Sequence, residues 1–389
     1  MILEKSPLHT ITRSGRSLLI SLLQPHRVLS TSQINGGMRE DLRFLCNHQG
    51  SESVGHDDRF EKIMAMGSEA YHKSTCVEFD LPWQETALMC TSANMQCATL
   101  AKASFQDLTV QVAATAGVQG NATRAGDKAG WHEGAEGSSS IKNHSEGAEN
   151  QLQAKEKGGS GTIVTLVLIN QPCSAACLVK ASTMVTEAKS AALLDLRMPS
   201  KQSLALATGT GTDQLAVACP TPKPGEFERQ WAGSHNTLGE LLAQATHEAI
   251  TRCLLLQNGV CPELRRSLVA ALDRFGCGEA FLKARAKEKL SPTQAALFDK
   301  NILAIIHDPQ SAAAAYGLAE SMDLMRDGIL HEEVSREALL NQASLLAAAV
   351  ASKPEDFALF RKELMTASIG EPILLAADAI ILGFEKKWN

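Results

Sequence analysis

Leu204-Ala205-Leu206-Ala207-Thr208-Gly209-Thr210-Gly211-Thr212-Asp213-Gln214-Leu215-Ala216-Val217-Ala218-Cys219 decides the fold class. Two apolar runs of strand character, Leu204 to Leu206 and Leu215 to Cys219, flank an alternation of glycine and threonine. Backbone N–H groups and three hydroxyls therefore share one short loop. Such a loop can surround an anion or a carbonyl oxygen with donors. As plain structure it is a tight turn between strands. It is no dinucleotide fingerprint, because Gln214 stands where the third glycine of G-x-G-x-x-G belongs. No Gly-Lys-Ser/Thr follows, so it is no P-loop either.

Upstream, Thr162 to Ile169 is apolar and β-branched, the composition of a buried strand. A helix is expected from about Ser174 to Leu196, so the order is strand, helix, strand, loop, strand. Ala87 to Cys90 and Val110 to Ala114 supply earlier strands. Leu18 to Leu23, short and without a small-residue cleavage site, also reads as a strand. Residues 128–161 change character: Gly, Ser, Glu, Lys and Asn dominate, ending in Gly158-Gly159-Ser160-Gly161. With almost no large apolar residue to offset its ordering entropy, this insert is expected to be disordered.

From Thr237 the pattern is helical. Thr237 and Glu240 predict a capping box ahead of Leu241. Pro262, Pro292, Pro309, Pro354 and Pro372 each suit a first helical turn, with Ser291 and Asp308 as caps. The expected architecture is an α/β domain over residues 1–258, a mixed sheet with flanking helices. An all-α bundle of five or six helices over residues 259–389 follows it.

Composition excludes several classes. The chain has 389 residues, 44% hydrophobic and 21% charged, with a net charge of −6, which argues against a nucleic-acid partner. No run approaches the ~18 apolar residues that span a bilayer. Ten scattered cysteines contain no C-x-x-C pair and no Cys/His spacing for zinc, so reduced thiols of a cytoplasmic protein are expected. There is no G-x-S-x-G elbow and no H-E-x-x-H, and no metal ligand is nominated.

Around the central loop lie further short stretches. Val28-Leu29-Ser30-Thr31-Ser32 precedes Asn35-Gly36-Gly37, and Thr115-Ala116-Gly117-Val118 leads into Asn121-Ala122-Thr123-Arg124-Ala125-Gly126-Asp127. Thr186-Glu187-Ala188-Lys189 lies upstream, and Trp231-Ala232-Gly233-Ser234-His235 downstream. In this order the set resembles the adenosylcobinamide amidohydrolase family, over residues 18 to 257. The resemblance implies hydrolysis of the amide joining aminopropanol to the corrin ring of adenosylcobinamide, releasing adenosylcobyric acid and 1-amino-2-propanol in corrinoid salvage. It calls for no cofactor, since the corrinoid is the substrate. The C-terminal helices lie outside the resemblance and are expected to serve association with a second copy or a protein partner.

An amidase needs an activated oxygen, donors for an oxyanion and a proton for the leaving amine. Glu187 or Asp213 is the candidate base, and Lys189 or His235 the candidate proton donor. Asn35, Asn121, Arg124, Asp127, Thr208, Thr210 and Thr212 are the candidate substrate contacts, His235 being a further one. At 100° per residue Lys189 falls on the apolar stripe of its helix with Leu178, Val185, Ala192 and Leu193. It then either meets a carboxylate or snorkels to water. Glu187 falls on the opposite face. Each polar candidate also has a plain alternative: an Asx turn for Asp213, an Arg124–Asp127 ion pair, a surface role for His235, and a turn at Asn35. Two rival functions remain: a nucleotide-binding enzyme that uses the loop for phosphate, and a non-catalytic corrinoid binder.

Overall fold

The computed structural model describes residues 1–50, 65–135, 137–141, 161–365 and 371–388. The chain divides into two compact units, Met1–Cys261 and Pro262–Asn389. The first opens with β1 (Ile2–Lys5), β2 (His9–Ser14), β3 (Ser17–Leu22), β4 (His26–Ser30), β5 (Gly37–Arg39) and β6 (Phe44–Gln49). Helix α1 (Ser68–Glu78), β7 (Thr86–Thr91), β8 (Thr99–Phe105), β9 (Leu108–Ala116) and β10 (Ala122–Thr123) follow. Then come β11 (Trp131–Gly134), β12 (Gly137–Ser140), β13 (Ile163–Ile169), α2 (Ala175–Asp195), β14 (Gly209–Thr210), β15 (Gln214–Pro220) and α3 (Thr237–Asn258).

Two sheets stack. One has the order β1-β2-β3-β6-β7, the other β5-β4-β15-β13-β9-β8. In the second, β13 and β15 run parallel, joined through α2, while β9 and β4 are antiparallel to them. Alternation along the strands separates two cores. Val164, Leu166, Leu168, Ala216 and Ala218 meet Ile11, Leu18, Ile20, Leu45 and Met89 of the first sheet. Ile163, Val167, Ile169 and Val217 face Leu178, Val185, Leu193, Leu242 and Ile250 of the two helices. β13, buried at every position, is the centre of a sheet–sheet–helix stack.

Three local expectations change. Leu204 to Leu206 forms no strand; only an isolated bridge pairs Leu206 with Pro199, and the ladder shrinks to Gly209–Thr210. Ser200 and Ser203 take the neighbouring backbone N–H groups instead, as short hydroxyl side chains do in turns. α3 is capped by Asn236, whose side chain accepts from the Leu238 N–H, rather than by a Thr237–Glu240 box. The first part of the 128–161 insert is ordered: β11 and β12 form a hairpin from Trp131↔Ser140 to Gly134↔Gly137. Gly137 takes φ +112° at its turn, open to glycine alone, so backbone pairing replaces the missing apolar core. Residues 142–160 of that insert lie outside the described residues.

The second unit contains α4 (Leu268–Leu272), α5 (Glu279–Lys289), α6 (Pro292–Ile306) and α7 (Pro309–Arg326). It ends with α8 (Glu332–Ala351), α9 (Phe357–Leu364) and α10 (Pro372–Lys386). Seven helices are thus described where five or six were expected. Ser291 forms a full capping box and Asp308 caps α7. Pro262 and Pro354 open single 3-10 turns rather than α-helices. Among the described residues no helix is long and apolar enough to cross a membrane.

Candidate active site

The site is built where β9 ends and β13 and β15 begin, since Ala116 pairs with Ile163 and Val164 with Gln214. Lys189 lies near the end of α2, on its inward stripe. Its side chain is only 13% exposed and its Nζ lies 2.5 Å from Asp213 Oδ2. Asp213, itself 20% exposed, receives the Thr210 N–H at 3.1 Å and the Thr210 hydroxyl at 2.5 Å on Oδ1. A hydroxyl, a carboxylate and an ammonium thus stand in series. Gly209 makes the approach possible: a Cβ there would overlap the Asp213 carboxylate and sit 2.7 Å from Lys189 Nζ. Ser190, one residue beyond the lysine, donates to Thr208 O at 2.8 Å and clamps the loop to the helix.

A second loop braces the first. β10 pairs with β14, Ala122 opposite Thr210 and Thr123 opposite Gly209. Asn121 Nδ2 donates to Gly161 O at 3.0 Å and to Thr212 Oγ1 at 3.2 Å, and the Thr162 and Thr212 hydroxyls are 2.7 Å apart. The Ala125 N–H donates to Thr208 Oγ1 at 2.8 Å. Asp127 accepts from Ser200 at 2.6 Å and from the Arg124 N–H at 2.8 Å. Burial pushes the Asp127 carboxyl up, but hydrogen bonds from Ser200, Ser203, the Arg124 N–H and Thr123 outweigh it and hold the group below its ordinary value. Arg124 forms no ion pair with Asp127; its guanidinium donates to Leu206 O at 3.1 Å. On the other face of β15, the Gln214 amide bonds both the N–H and the C=O of Cys90, tying Asp213's strand to β7.

Lys189, Asp213, Asn121, Arg124, Asp127, Thr208, Thr210 and Thr212 therefore share one cluster. Three of the sequence candidates do not join it. Glu187 is 57% exposed and pairs with Lys180 at 3.7 Å. Asn35 sits in a left-handed turn at φ +60°, where its amide donates to Trp83 O and Thr86 O and accepts from Arg39. His235 is exposed and lies just before α3, in a loop whose Gly233 packs near Lys180. Lys180 is nine residues from Lys189, about 13 Å along the helix. α2 starts past the C-terminal end of β13, whereas the ion pair lies at the strand's beginning, so the His235 loop sits at the opposite end from the ion pair. Ser190, Ser200, Thr162 and Gln214 are the members the sequence did not announce. Each bonds a partner distant in the chain, which its neighbours in sequence do not reveal.

This cluster falls within a family region. Residues 3–262 match the model of the adenosylcobinamide amidohydrolase family. The chain belongs to that family. An uncharacterised protein of Methanocaldococcus jannaschii is 27% identical over 259 residues, spanning 65% of this chain and 92% of that protein. A crystal structure of a Pyrococcus horikoshii protein aligns with 65% of this chain and 86% of its own at 12% identity. Its TM-score of 0.28 is too low to compare folds. The family match ends at the boundary between the two units, so the helical unit lies beyond it.

Proposed function

We propose that the chain hydrolyses the amide between aminopropanol and the corrin ring of adenosylcobinamide, giving adenosylcobyric acid and 1-amino-2-propanol. The observation that carries this reading is the shielded Lys189–Asp213 pair, set on the glycine/threonine loop of a chain belonging to this family. Amide hydrolysis needs a base for the attacking oxygen and an acid for the departing amine. Asp213 accepts the first proton through Oδ1, the oxygen facing Thr210. Lys189 supplies the second from its ammonium group. Glu187 and His235 take no part, the one exposed and paired with Lys180, the other exposed in a loop near Lys180 at the opposite end of α2.

The test is incubation of the purified protein with adenosylcobinamide, followed by mass spectrometry. Adenosylcobyric acid and 1-amino-2-propanol are expected in equal amounts. Asp213→Asn and Lys189→Met are each expected to lower turnover about 10²–10⁴-fold with native circular dichroism. A folded wild-type protein that releases neither product overturns the reading.

A further inference from the structure

We propose that Thr210 is the nucleophile, so that the reaction runs through an acyl ester on its Oγ1; the inference rests on the amidohydrolase reading above. Three hydroxyls lie on the loop, and their partners separate them. Thr208 Oγ1 accepts the Ala125 N–H. Thr212 Oγ1 is enclosed by Asn121, Gly161 O and Thr162. Thr210 alone of the three meets a carboxylate, donating to Asp213 Oδ1 at 2.5 Å. The other oxygen of that carboxylate holds Lys189. A nucleophile bonded to a base that is itself held by a third group is the arrangement that activates a hydroxyl. Thr210 is itself buried, and the flanking Gly211, which carries no side chain, is exposed beside it.

The steps balance. The Thr210 O–H proton passes to Asp213 as Oγ1 bonds to the amide carbonyl carbon. The C–N bond then breaks, and the leaving nitrogen takes a proton from Lys189. The proton on Asp213 returns to Lys189 and restores the ion pair. Water next attacks the ester, giving its proton to Asp213. The Oγ1–C bond breaks, Oγ1 takes that proton back, and the corrinoid acid leaves.

The experiment uses the full-length protein with adenosylcobinamide. Acid quench within the first turnover, then intact-mass and peptide analysis, is expected to show the corrinoid acyl group on the peptide carrying Thr210. Hydroxylamine is expected to divert product to the hydroxamate and, by speeding breakdown of the accumulated ester, to raise the steady-state rate of aminopropanol release. Thr210→Val should lose at least ~10²-fold in turnover, while Thr210→Ser, which keeps the hydroxyl, should restore most of it. A threonine that merely braces the loop predicts no adduct and no hydroxamate in the wild type. Wild-type hydrolysis without either, or a folded Thr210→Val variant with near wild-type turnover, overturns the nucleophile and leaves the amidase reading standing. A wild type without hydrolysis overturns both.

Discussion

Lys189 and Asp213 lie 24 positions apart, yet each drew notice separately: a lysine on an apolar helix stripe either meets a carboxylate or snorkels to water, and an aspartate closes a glycine-rich loop. Glu187 and His235 were drawn in by adjacency within short stretches, and adjacency does not say which face of a helix or which edge of a sheet a residue occupies. The threonines were legible as loop donors but not in their duties, because Thr208 and Thr212 spend their hydroxyls on bracing. Gly209 gives the sharpest test at this scale. Any side chain there would collide with the Asp213 carboxylate and crowd Lys189 Nζ. Gly209→Ala is therefore expected to separate the pair and lower turnover by ~10²-fold or more, the low end for losing acid–base groups. Since the position takes no positive φ, the fold should survive. Near wild-type kinetics in Gly209→Ala would show that the close approach is not needed.

At the scale of elements, α2 was legible to its ends because Ser174 caps it and its apolar stripe is continuous. The hairpin of β11 and β12 was not, because its pairing is backbone to backbone and leaves no apolar pattern. The seam between the sheets was equally silent, since Gln214 reaches across to the main chain of Cys90 and any residue could lie there. Gln214→Ala removes both of these hydrogen bonds and should cost about 1–3 kcal/mol, read as a lower denaturation midpoint. An unchanged midpoint would mean the two sheets hold without this tie. Among the buried histidines, three lie on β2, β4 and α1: His9, His26 and His72. Burial holds each below the ordinary 6.5, against the bonds to Gln111, Gln24 O and Trp83 O. Glu4 raises His9, while Lys102 lowers it and His9 lowers His26. The unfolded chain thus binds protons more readily. Stability should be fully present above pH 6.5, fall as the pH drops below it, and level off once the folded histidines protonate. Urea titrations from pH 8 to 5 would follow this, and His26→Gln should flatten the slope.

At the scale of the whole molecule, the helical half was legible from its prolines, caps and apolar periodicity, and its function was not, because no polar cluster of catalytic promise rises from it. Its core is its own: Leu272, Phe298, Leu318, Leu346, Phe360 and Phe384 belong to one cluster drawn entirely from residues 268–384. A half-buried Arg285 bonds Asp378 at 2.8 Å within that unit. The first unit likewise keeps both of its cores within residues 1–261, and the family match spans the same stretch. We propose that the two units fold independently and that the amidase belongs to the first. A protein ending at Cys261 keeps the residues of both of these clusters and carries Lys189, Asp213 and both loops. It is expected to be folded by circular dichroism and to keep its turnover and Michaelis constant for adenosylcobinamide. Its oligomeric state in sedimentation is the property expected to change, since the removed unit exposes Leu303, Ile329 and Val334 to solvent and offers apolar surface for association. A truncation that is folded but binds no corrinoid would place part of substrate recognition in the helices and overturn the assignment of activity to the first unit alone.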